Sequence, residues 1–178
     1  MGKIKSVPLG KFFIGILSRG ENLPKVFPLI EEKFSEIDFK SEIIPFNFTN
    51  YYEEEMGSPL QRIWVSLKGL IPQDNLVKLK KVSLILENKT MVENRRIFNL
   101  DPGVLTESRV VLATTKDYSH RIYIGEGIYG EVTLIYRKGK GYLPLPWTYP
   151  DYRTETAQNF FLKMRELLRE EKHDIEFQ

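Results

Sequence analysis

The chain has 178 residues, 42% of them hydrophobic and 28% charged, with 26 basic against 24 acidic side chains and a formal charge of +2. Size and balance fit a soluble globular protein with a core of ordinary size, and the interleaving of Lys and Arg with Glu and Asp excludes the basic stripe of a nucleic-acid binder. The absence of Cys and the presence of only His120 and His173 exclude disulfide frameworks, thiolate metal sites, a Cys nucleophile and His-rich metal centres, leaving carboxylates as the main ligands of any metal.

In chain order, residues 11–18 (KFFIGILS) form a continuous apolar run, as expected of a central strand buried on both faces. Over residues 22–37 the positions Leu23, Val26, Phe27, Ile30 and Phe34 recur at helical spacing; Pro28 fits only if the helix starts near Pro24. Residues 39–48 read as a second strand, residues 49–59 as a loop whose Tyr51-Tyr52-Glu53-Glu54-Glu55 string is a solvated charge run or a cation-binding lip, and residues 62–67 (RIWVSL) as a third strand. A second helix is predicted over residues 72–88 from the stripe Leu76, Leu79, Val82, Leu86, and a short fourth strand over residues 95–99. This β-α-β-β-α-β order over residues 11–99 predicts an α+β fold with a ferredoxin-like, four-stranded antiparallel sheet carrying two helices on one face.

The remainder, residues 100–178, is expected to complete a single domain by covering the other face of the sheet. Residues 121–124 and 131–136 are β-rich runs flanking a glycine-punctuated turn, the strongest hairpin signal in the chain. That turn reads Gly-x-Gly-x-x-Gly-x-Val and resembles the glycine-rich phosphate loop of protein kinases. Only 48 residues follow Gly130, however, and they hold neither a catalytic His-Arg-Asp loop nor an Asp-Phe-Gly. Turn geometry therefore accounts for Gly125 and Gly127, with a phosphate-binding hairpin as the alternative. Residues 139–150 are Pro- and aromatic-rich and read as extended without ladder pairing; after them Thr154 caps a closing helix with the stripe Ala157, Phe160, Phe161, Met164, Leu167 and Leu168.

Polar residues gather at the ends of apolar elements. Asp101 follows the fourth strand, and Thr106 with Glu107 and Ser108 can cap whatever residues 110–114 form; a helix there would aim free N–H groups towards an anion. Lys116, His120 and Arg121 supply donors, while Asp117 and Asp101 are suited to hold Mg²⁺ beside a phosphate. In the 147–153 string, Tyr149 offers a ring for stacking, Asp151 a carboxylate and Arg153 a phosphate fork. Capping and turn roles explain each of these residues taken singly; together they are the inventory of a nucleotide or phosphate site.

At residues 99–103 (NLDPG), 113–121 (ATTKDYSHR), 129–138 (YGEVTLIYRK), 145–153 (LPWTYPDYR) and 45–57 (PFNFTNYYEEEMG) the chain resembles a bacterial and archaeal domain family of unknown function, some members of which are labelled GTP-binding protein or GTP-binding regulator. That resemblance implies no defined activity. No Gly-x-x-x-x-Gly-Lys-Ser/Thr loop is present, and residues 88–91 (NKTM) lack the Asp of a guanine-reading Asn-Lys-x-Asp, so GTP would have to bind by another route. No apolar run approaches the roughly 20 residues that span a bilayer, and the first ten residues lack a signal-peptide core, so no membrane partner and a cytoplasmic location are expected. The leading expectation is a binder of a nucleotide or other phosphorylated small ligand, with a regulatory role. A metal-assisted phosphoester hydrolase and a non-catalytic protein-interaction domain are the alternatives.

Overall fold

The computed structural model describes residues 2–176, so the two ends of the expected 1–178 domain lie outside the described residues. Strand β1 (Leu9–Arg19) is followed by helix α1 (Leu23–Lys33), strands β2 (Ile37–Lys40) and β3 (Ile44–Phe46), a single helical turn α2 (Glu53–Met56), strand β4 (Leu60–Pro72) and helix α3 (Leu76–Lys89). Five more strands then run in succession, β5 (Phe98–Leu105), β6 (Arg109–Thr114), β7 (Ile122–Gly125), β8 (Ile128–Arg137) and β9 (Gly141–Pro144), before the long helix α4 (Glu155–Glu176). All nine strands belong to one sheet of order β2-β4-β1-β5-β6-β8-β7, with β3 beside β4 and β9 beside β8, and every pairing is antiparallel. The fold is therefore mixed, with a large open antiparallel sheet and four helices.

Alternation along β1 shows how the sheet is covered. Phe12, Ile14 and Ile16 enter one core with Leu23, Val26 and Ile30 of α1 and Leu76, Leu79 and Leu86 of α3. Phe13 points the other way, into a core built by Ala157, Phe160, Phe161, Met164 and Leu168 of α4. The continuous apolar run of β1 is thus the signature of a strand with a helix layer on each side, and β1 lies between β4 and β5 as a central strand must. On β4 the same alternation sends Ile63, Val65 and Leu67 to the α1/α3 face and Trp64 to the α4 face.

Several boundaries differ from the sequence expectation for local reasons. Helix α1 begins at Leu23 and contains Pro28, whose missing N–H leaves the Pro24 carbonyl without its i+4 donor; both prolines are exposed, so water can take that carbonyl. The strand predicted over residues 39–48 is split in two because Ser41 substitutes for a regular ladder step, its N–H donating to the Trp64 carbonyl (2.9 Å) and its Oγ accepting the Trp64 N–H (3.0 Å). Pro45 is tolerated because β3 has a partner on one side only. Residues 141–144, expected to lack ladder pairing, pair with residues 134–137 of β8 as an edge strand ending at Pro144. The β7–β8 hairpin is as predicted but tighter, with Gly125, Glu126 and Gly127 at φ of 122°, 50° and 78°; glycine suits the first and third of these left-handed positions.

The largest departure concerns residues 98–114. Asp101-Pro102-Gly103, a turn by its local chemistry, lies in the middle of β5, and residues 110–114, whose form the sequence left open between a capped helix and another element, belong to strand β6. Gly103 pairs with Phe13 of β1, whose ring lies across it: a Cβ there would sit 2.3 Å from Phe13 Cζ and 2.9 Å from the Val111 carbonyl oxygen. Gly103→Ala is therefore expected to cost about 1–3 kcal/mol by overpacking. The measurement is a urea midpoint shift at unchanged m-value, and a shift of less than about 0.5 kcal/mol would show that the ring moves aside freely.

Candidate functional site

The backbone itself opens a cleft. β5 and β6 share register only where Gly103–Leu105 faces residues 110–112, so the first half of β5 has no strand neighbour on that side. Pro102, which carries no N–H, stands where the pairing stops. Helix α3 supplies what the missing strand would have given Leu100: Glu87 Oε1 accepts its N–H at 2.6 Å and Lys80 Nζ donates to its carbonyl at 3.0 Å. The gap is a cleft of about 200 Å³ walled by α3, β5, the end of β6, the loop after it, and the loops carrying Tyr51 and Tyr149.

Its floor is a continuous polar network. Arg62 of β4 shares the parity of Trp64 and so points away from the α1/α3 core; it donates through Nε to Asp151 Oδ2 (2.9 Å) and through Nη1 to Asp101 Oδ2 (3.1 Å). Asn99 Nδ2 adds a bond to the same Asp101 oxygen at 2.9 Å, and Arg96 donates to Asn99 Oδ1 (2.8 Å) and to Glu87 Oε2 (3.2 Å) while holding Glu55 through two bonds of 2.7 and 2.6 Å. Arg62, Lys80, Glu87, Asn99 and Asp151 are all buried. The Asp101 side chain stays 26% exposed, its access being to the cleft it lines.

Burial and charge act on these groups in different directions. Burial would raise the Asp101 carboxyl, but Arg62, Lys80 and the Asn99 amide outweigh it and hold it below the ordinary carboxylate range. For Asp151 and Glu87 burial wins, and both are pushed up in spite of Arg62 in the first case and Lys80 in the second. Arg62 loses to burial what Asp151 and Asp101 more than restore, so its guanidinium stays charged. Burial also raises the phenols of Tyr52 and Tyr152, which makes both neutral donors. Tyr152 is 1% exposed, yet its hydroxyl has no hydrogen-bond partner.

The mouth is built differently. Lys116 Nζ lies 4.8 Å from the Tyr51 ring centroid and within 3.4 Å of its hydroxyl, linking the loop after β6 to the loop after β3. Arg121 donates to Glu131 Oε2 (2.9 Å), to the Lys116 carbonyl (3.1 Å) and to the Tyr149 hydroxyl (3.4 Å). His120 Nε2 lies 2.8 Å from the same Glu131 oxygen, and its ring stacks on Trp147 at 4.9 Å. Tyr51 and Tyr149 remain 65% and 50% exposed, so two rings flank the opening.

Of the residues singled out from the sequence, Asp101, Lys116, Arg121, Tyr149 and Asp151 line this cleft. His120 stands behind it, reaching Glu131 rather than the opening. Thr106 sits at the far end of β5, where its Oγ1 accepts the N–H groups of Ser108 and Arg109 in a turn; it caps no helix because a strand follows. Asp117 is exposed on the loop after β6 and does not line the cleft, nor do Gly125 and Gly127, which occupy the hairpin turn. Arg153 is committed to the carbonyls of Thr148, Leu145 and Pro146 and braces its own loop.

Of the floor, the sequence pointed to Asp101 and Asp151 but not to Arg62, Lys80, Glu87, Arg96 or Asn99. Arg62 heads the strand run on the face of Trp64, and Lys80 and Glu87 fall at i+4 and i+11 in the buried series Leu76, Leu79, Lys80, Ser83, Leu86, Glu87. Charged residues on an apolar stripe were the available signal. Among the described residues no three His, Asp or Glu side chains gather as a metal centre would require, and no helix is long and apolar enough to cross a membrane.

No curated protein and no solved structure matches the chain. One family model does, described as Domain of unknown function (DUF4416), over residues 8–168. The chain, from the first strand through most of the closing helix, belongs to that family.

Proposed function

We propose that the cleft binds a small phosphorylated ligand, with nucleotides, GTP included, as the first class to test, and that the protein acts as a regulator through that binding. The observation that carries this reading is the mouth: Lys116 and Arg121 present cationic donors between the two exposed rings of Tyr51 and Tyr149, the combination that holds a phosphate and stacks a planar group. Lys80, which uses one of its three N–H donors on the Leu100 carbonyl, supports a polar ligand reaching further in. The acids of the cleft are already engaged by cations, Asp101 and Asp151 by Arg62, Glu87 by Arg96 and Glu131 by Arg121, which favours binding over metal-assisted hydrolysis. For the fold, the order β2-β4-β1-β5 with α1 and α3 sharing one core supports reading residues 11–99 as a ferredoxin-like unit extended by the later strands.

Thermal and urea unfolding with GTP, GDP, ATP, cyclic nucleotides and ribose 5-phosphate, with and without Mg²⁺, tests the proposal. At a free ligand concentration of 100 Kd the native state gains about 2.7 kcal/mol, and Arg121→Ala is expected to abolish the gain. No stabilisation by any of these compounds would overturn the reading.

A further inference from the structure

We propose that the ligand lies in the cleft with its phosphate outward and an N–H-bearing head inward, and that Asp101 is the residue that recognises the head. The inference rests on the reading of the cleft as a phosphate-ligand site and adds the orientation and the chemical class of the ligand's other end.

Two independent observations carry it. The first is the unused valence at the floor. Asp101 Oδ2 is occupied by Arg62 and Asn99, while Oδ1 lies 3.9 Å from Lys80 Nζ, beyond hydrogen-bond reach. A carboxylate kept ionised offers only acceptor sites, so the group that completes Oδ1 must donate. The Tyr152 hydroxyl beside this network makes no hydrogen bond of good geometry, but the equally buried Trp64 indole N–H next to it is its own candidate partner, so the open valence is that of Asp101 Oδ1. An ionised acceptor left open on the wall of a cleft points to a donor that enters from it.

The second is the polarity of charge along the cleft. At the mouth Lys116 and Arg121 face Glu131, two positive charges against one negative. At the floor Arg62, Lys80 and Arg96 face Asp101, Asp151 and Glu87, three against three. An anionic group is therefore favoured outside, while at the balanced floor the open Asp101 acceptor favours a donor-bearing group. An amide, lactam, amidine or amino-substituted heterocycle joined to a phosphate has this arrangement; a bare sugar phosphate lacks the inward half.

The test uses the unaltered chain and matched ligands, measured by isothermal titration calorimetry. GMP and IMP differ only in one exocyclic amino group, as do AMP and purine riboside monophosphate, and ribose 5-phosphate serves as a headless probe. At least one of the N–H-bearing members GMP, IMP and AMP is expected to bind about tenfold or more tightly than purine riboside monophosphate, the usual effect of a hydrogen bond to a charged acceptor. Asp101→Asn is expected to erase that difference, but the ligand pairs decide even if the variant does not fold. Equal affinities of all four nucleotides, together with measurable binding of ribose 5-phosphate, would overturn the orientation while leaving a phosphate site intact. No binding by any member would overturn both readings.

Discussion

Arg62→Met is expected to destabilise the protein by about 3–5 kcal/mol at neutral pH, the usual cost of removing one partner of a buried ion pair. The reason lies in what is left behind. Asp151 is 2% exposed and loses its 2.9 Å partner, and Asp101 loses a 3.1 Å partner while keeping Asn99 and the distant Lys80. The effect should depend on pH with a definite sign. In the native protein Asp101 is depressed, so its contribution is present above the unfolded carboxylate pKa of about 3.9 and is lost as pH falls through the lower folded value. Asp151 is raised by burial, so the native state takes up its proton first and that residue favours folding as pH falls. Without the guanidinium both carboxyls move up, and the deficit of the variant should shrink from pH 7 towards pH 4. Arg62→Met combined with Asp151→Asn should recover part of the loss, since one of the two stranded charges is gone. Urea titrations of the three proteins at several pH values measure all of this. A loss of less than about 1 kcal/mol, or one indifferent to pH, would show that water replaces the guanidinium without penalty.

What could be read in advance, and what could not, follows from whether a signal is local. The stripe of α4 and the doubly buried character of β1 are written in spacing alone, and both stand. The Asp101-Pro102-Gly103 string carries every local mark of a turn. It runs as a strand because β1 pairs with all eight residues of β5, from Phe98 opposite Ser18 to Leu105 opposite Lys11, a contact of long sequence separation that no window over residues 95–110 contains. The same limit explains the site. Lys116, Arg121 and Asp151 were legible because they stand in short polar strings, whereas Arg62 and Lys80 join them only after distant segments fold together. The charges of Lys80 and Glu87 on the buried stripe of α3 were visible, yet their meaning depends on Leu100 lacking a strand neighbour, which is a property of the finished sheet. Lys11 is a parallel case: fully buried at the head of an apolar run, it is held by Asp38 at 2.6 Å, Glu171 at 2.7 Å and the Leu67 carbonyl at 3.2 Å, partners drawn from three other elements.

The second large effect is expected in the core beneath α4 and links stability to the cleft. Phe161 of α4 is fully buried, 5.0 Å from the Phe13 ring in edge contact and 5.8 Å from Tyr152 in a stack, with Phe160, Trp64 and Tyr142 completing the cluster. Truncating such a residue removes its transfer free energy and leaves a cavity that neighbouring rings cannot fill without abandoning their rotamers, so Phe161→Ala should cost about 3–5 kcal/mol and Phe161→Leu distinctly less. The site feels the change through one residue. Tyr152, clamped between Phe161 and Trp64, follows Asp151, and Asp151 holds Arg62 from the far side of the floor. Loosening the Tyr152 ring should therefore weaken cleft binding as well as stability, whereas Gly103→Ala, whose strain falls on Phe13, should lower stability with a smaller change in ligand affinity. Comparing denaturant midpoints with Kd values for the two variants, under conditions where each remains folded, separates these effects. A loss below about 1 kcal/mol in Phe161→Ala would show that α4 lies on the sheet without sealing it.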